Sequence, residues 1–103
     1  MEDKELKEII AETIGNDEEF LNTTIYEIVK RIIDLPNETE TTIAKLIDYN
    51  SQNEFVEPLL QGQIFNLVED VCEKVNVYIE LTSRDRFIGL AYYYPFKKVT
   101  RHE

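Results

Sequence analysis

Hydrophobic positions along the first three quarters of the chain recur every three or four residues, a spacing typical of amphipathic helices. The spacing predicts a helix over Asp3–Ile14 that ends at Gly15, and a longer helix whose apolar stripe ends before Pro36. A short helix is predicted over residues 43–47, and a long one from about residue 56 or 58 to Lys74. The helices together predict a largely helical first part of the chain.

The pattern leaves alternatives open at the start of the second helix and at the entry to the third. Residues 17–21 can begin the second helix with Asn16 or Asp17 as its cap, whereas Thr24, with Glu27 three residues later, has the form of a capping box that would restart it. The polar stretch 38–42 suits a short edge strand or an extended entry. Thr41 or Thr42 can then cap the third helix.

Beyond residue 75 the hydrophobic period changes to two, which is typical of β-strands. Apolar and polar residues alternate over 75–82, so this segment is predicted to be a half-buried strand. Residues 83–86 are the predicted turn, and 87–94 the second strand of a hairpin. Pro95 bars continuation of the ladder at its own nitrogen, so 96–100 are expected to be a tail or a short third strand.

This order of elements predicts a single α+β domain over residues 1–103. Residues 1–15 form an N-terminal accessory helix, and residues 23–103 form a winged-helix-like core, in which a helix-turn-helix packs beside a C-terminal β-hairpin. The alternative architecture is a helical cluster on a small antiparallel meander. The accessory helix is expected to cover the second face of the hairpin, or that face is an interface.

One segment carries a resemblance to a known family. Residues 35–47 begin with Leu-Pro, continue through Thr-Ile and close on Leu-Ile, and Gly62 stands three residues before Phe65 on the long predicted helix. Over about residues 25–99 this arrangement resembles an uncharacterised family of small proteins from Gram-positive bacteria and their phages. The family has glycine where this chain has Glu38, and an aromatic residue where it has Thr41. The resemblance implies a bacterial or phage cytoplasmic setting and brings no catalytic residues.

The charge balance is the most unusual feature of the composition. Asp and Glu number 21 against 11 Lys and Arg, for a formal net charge of -10. The acidic excess lies in residues 1–75, whereas residues 76–103 are slightly basic. One cysteine excludes an internal disulfide scaffold. Since no apolar run approaches the roughly 20 residues of a membrane span and the start lacks the pattern of a secretory signal, we expect a cytoplasmic protein.

The residues that carry chemistry are few. The one histidine, His102, lies next to the last residue, where general-base catalysis would lack a fixed geometry. Cys72 falls on the buried side of the long helix, where a thiol acts as a small hydrophobic group. The three glycines form no phosphate-binding cluster, and no metal-ligand spacing occurs. We therefore expect a protein that is not an enzyme and has no catalytic residues, cofactor or metal.

Acidic helix faces and a Tyr/Arg-rich hairpin are the candidate interaction residues. Their ordinary explanation is a solvated helix face and a complemented helix dipole. Tyrosine near arginine is also the usual composition of interface hot spots. The hypothetical protein interface comprises Glu69, Asp70, Glu73, Asp17, Glu18, Glu19, Tyr78, Tyr92, Tyr94, Arg84 and Arg86.

These features predict an acidic protein-interaction module that binds a partner with a basic surface, one version being a phage or mobile-element inhibitor. A homodimer is compatible with the sequence. The alternative is a winged-helix transcriptional regulator that contacts DNA through the basic hairpin. Phosphate contacts dominate DNA affinity, so an acidic recognition helix argues against nucleic acid. The DNA contacts in that alternative are Arg84, Arg86, Lys97, Lys98 and Arg101.

Overall fold

Four helices and a three-stranded antiparallel sheet make up residues 2–46, 58–82 and 95–100, the part of the chain that the computed structural model describes. This arrangement confirms the α+β class. In chain order the elements are α1 Asp3–Ile14, α2 Glu19–Asp34, β1 Glu40–Thr42, α3 Ile43–Leu46, α4 Pro58–Lys74, β2 Tyr78–Leu81 and β3 Pro95–Val99.

The start of α2 lies within the predicted range 17–21, but its cap differs from those predicted. The helix begins at Glu19 after Glu18, which makes no side-chain cap hydrogen bond, and it runs without a break through Thr24. The caps expected at Asn16 or Asp17, and at Thr24, are therefore wrong. Thr24 lies within the helix and is buried. The buried packing of the apolar stripe extends this helix towards its N-terminus over residues of weak helix propensity.

The sheet has β3 at its centre, in the order β1-β3-β2. The sequence predicts a tail or a short third strand over residues 96–100, and the structure has the strand: Pro95–Val99 pairs with both neighbours. Proline is tolerated because it is the first residue of the strand, and its carbonyl still accepts a hydrogen bond of 3.0 Å from the Thr82 N–H. The predicted turn at 83–86 and the predicted strand at 87–94 lie outside the described residues.

The end of α4 determines where β2 begins. The N–H groups of Val77 and Asn76 donate to the carbonyls of Cys72 and Glu73, at 2.9 and 3.1 Å. These two bonds form a Schellman motif, with Asn76 at a φ of 62° in the position that glycine usually occupies. Residues 75–77, which were predicted to belong to the strand, therefore form the end of the helix, and the strand begins at Tyr78.

One hydrophobic core joins the helices to the inner face of the sheet. α1 contributes Leu6 and Ile10, which are buried between α1, α2 and α4, so the N-terminal helix is part of this core. The Phe65 and Phe96 rings, with centroids 5.8 Å apart, connect α4 to β3. Among the described residues, the largest fully buried side chains are Ile10, Ile25, Ile28, Val29, Ile32, Ile43, Ile64, Val68, Val71, Cys72 and Phe96.

Candidate functional site

Three carboxylates lie on the exposed side of α4: Glu69, Asp70 and Glu73, which together we call the acidic face. The spacing i, i+1, i+4 places them opposite Val68, Val71 and Cys72, which are buried. Among the described residues, no lysine or arginine forms a salt bridge with any of the three. The acidic face predicted from the sequence is therefore exposed, and no basic residue of the described ranges forms a salt bridge with it.

The pKa of Glu69 is raised above its usual value. Partial burial is the main cause, and repulsion from Asp70 and Glu73 adds to it. Both effects disfavour the negative charge that Glu69 carries at neutral pH. A cation placed beside this carboxylate would therefore relieve a local electrostatic cost.

Glu69 also lines a cleft of about 530 Å³ that reaches from α4 to β2 and β3. We call this the sheet cleft. The sequence did not predict it, although the alternation over 75–82 correctly placed Tyr78 and Glu80 on one face. The residues that line it are Glu38, Glu69, Tyr78, Ile79, Glu80, Lys97, Val99 and Thr100.

Of the described residues that line the sheet cleft, Lys97 is the one cation. Its ammonium group lies 3.1 Å from a carboxylate oxygen of Glu38. The strand register places Glu40 and Glu80 on either side of it, and the pKa of Lys97 is raised, first by the hydrogen bond to Glu38 and then by these neighbouring charges. This lysine therefore already has an intramolecular partner.

Lys98, on the other face of β3, has a structural role. Its ammonium group donates to the carbonyls of Ile33 and Leu35, at 3.0 and 2.7 Å. These carbonyls belong to the C-terminal end of α2, where no further helical N–H is available to them. Of the residues proposed to contact DNA, Lys97 and Lys98 are thus held by contacts within the protein, and Arg84, Arg86 and Arg101 lie outside the described residues.

The other predicted interface residues fall in different places. Asp17, Glu18 and Glu19 are exposed at the start of α2. Tyr78 is half-buried and lines the sheet cleft, as Glu69 does. Tyr92 and Tyr94 lie outside the described residues. The structure therefore brings together Glu69 and Tyr78, and adds Glu38, Glu80 and Lys97, which the sequence prediction omitted from the protein interface.

The Cys72 thiol is enclosed in the core. Burial raises its pKa to about 12, far above the usual value for a thiol, so it remains protonated. Within residues 2–46, 58–82 and 95–100, no three His, Cys, Asp or Glu side chains lie together as a metal site would require. Over the same ranges, no helix has both the length and the apolar character needed to cross a membrane.

Comparison with known proteins gives no relatives. No protein-family model matches the chain, and neither a curated protein nor a solved structure gives a significant match. The resemblance over residues 25–99 therefore stays a prediction.

Proposed function

We propose that this protein is a non-enzymatic interaction module whose acidic face binds a basic surface on a partner protein. The observation that carries the proposal is the set of three adjacent exposed carboxylates on α4, which have no described cation as partner. The net charge of -10 would steer such a partner towards the protein and make association fast and salt-sensitive. One biological form is a cytoplasmic phage or mobile-element inhibitor that occupies a nucleic-acid site on a host protein.

We also propose that the fold is winged-helix-like. The order α2, β1, α3, α4, β2, β3, with β3 central in the sheet, supports this assignment. α4 then occupies the place of the recognition helix. Its acidic face has the wrong sign for the DNA backbone and the right sign for a basic protein.

DNA binding through the hairpin is the weaker alternative. Lys97 and Lys98, two of its five proposed contacts, have partners within the protein. A gel shift against genomic fragments tests it: we expect no binding. Binding abolished by the double substitution Arg84→Glu and Arg86→Glu would favour the regulator over the interaction module.

Two matched variants test the interaction module. Glu69→Gln/Asp70→Asn/Glu73→Gln neutralises the acidic face, and Glu5→Gln/Glu8→Gln/Glu12→Gln removes the same charge from exposed positions of α1. Each protein is immobilised and exposed to lysate of its native host at low and high salt. We expect a captured protein that dissociates at high salt and whose recovery falls at least about tenfold with the α4 variant only.

The control variant gives the experiment its specificity. Equal losses with the two variants would show that net charge, and not the acidic face, attracts the captured protein. Capture that survives neutralisation of the acidic face would place the binding surface elsewhere. Either result, or recovery of no protein under both salt conditions, would overturn the proposed function.

A further inference from the structure

We draw no further inference here: the strongest candidate, the cavity between α1 and α2 beside Asn22 and Tyr26, carries none, because the Asn22 Oδ1 atom, a buried acceptor with no hydrogen-bond donor among the described residues, is closed off from solvent, and nothing in the structure shows what would fill the cavity.

Discussion

Within the part of the chain that the structure describes, two residues other than glycine, Glu38 and Asn76, adopt the left-handed backbone conformation, with φ of 69° and 62°. This conformation costs an ordinary residue about 1–2 kcal/mol, and asparagine tolerates it better than most. Glu38 is fixed by its N–H, which donates to the carbonyl of Lys98 at 2.7 Å, and by its ion pair with Lys97.

Asn76 gives a direct test of the helix exit. Asn76→Ala should lower the free energy of unfolding by about 1 kcal/mol, because a positive φ is less favourable for alanine than for asparagine. Asn76→Gly should leave the stability equal or slightly higher. Urea unfolding of the three proteins measures this, and an equal loss with both variants would show that the asparagine side chain matters more than the backbone conformation.

The buried Cys72 makes stability depend on alkaline pH. Its folded-state pKa of about 12 lies above the ordinary value of 9.0. Below pH 9.0 the thiol is therefore protonated in both the folded and the unfolded state, and its contribution to the free energy of unfolding is fully present. Above that pH the unfolded thiol ionises first, and the folded state loses stability. Between about pH 8 and about pH 10 we expect the free energy of unfolding to fall by roughly 1.4 kcal/mol more in the wild type than in Cys72→Ala.

The comparison with Cys72→Ala isolates the thiol because the two proteins differ only at this side chain. Urea unfolding curves at the two pH values give the difference. Parallel losses in the two proteins would contradict a strongly raised pKa for Cys72.

At the scale of elements, one lysine joins β3 to the end of α2. Lys98 supplies two hydrogen bonds to carbonyls that the helix itself cannot satisfy. Arg31 makes a similar link, with its guanidinium donating to the carbonyl of Leu46 at 2.7 Å, at the end of α3. Basic side chains thus end two helices in a protein whose overall charge is acidic.

Replacing Lys98 should therefore lower the free energy of unfolding more than replacing Lys97. Lys98→Met keeps most of the aliphatic chain but leaves the Ile33 and Leu35 carbonyls without their donor. We therefore expect the free energy of unfolding to fall by about 1–3 kcal/mol. Lys97→Met removes a largely exposed ion pair and should cost at most about 1 kcal/mol. Chemical denaturation compares the two variants; equal losses would contradict the capping role of Lys98.

At the scale of the whole molecule, α1 and the sheet share one core through α2 and α4. Leu6 and Ile10 of α1 are 2% and 1% exposed and belong to the same buried cluster as Phe96 of β3. α1 is also tied to its neighbours by the Asp3–Lys30 ion pair and by the hydrogen bond from Lys74 to Thr13. We therefore expect the helices and the sheet to unfold together.

Ile10→Ala tests this cooperativity. Because this change removes a fully buried side chain, it should lower the free energy of unfolding by about 2–5 kcal/mol. Ile9→Ala, at a half-buried position, should lower it by less. Thermal unfolding followed by both helix and tyrosine signals should remain one coincident transition. A change at Ile10 that melted the helical signal while leaving the tyrosine environment intact would contradict a shared core.

Much of the local structure followed from the sequence because local patterns determine it. The apolar spacing of residues 3–14, the stop at Gly15 and the alternation at Tyr78 and Glu80 each depend on neighbouring residues only. The capping role of Thr42 is of the same kind: its hydroxyl accepts from the Lys45 N–H at 3.1 Å. The acidic side of α4 was likewise predicted, since helical periodicity alone separates the two faces.

The tertiary structure decided what depends on residues far apart in the chain. Thr24 has the local signature of a helix start, yet the buried packing of α2 kept it inside the helix. Residues 95–99 became the central strand because two distant segments pair with them, and no local pattern contains that information. The sheet cleft exists for the same reason. Glu69 and Glu80 are far apart in sequence, and they line the same cleft only because α4 packs beside β2.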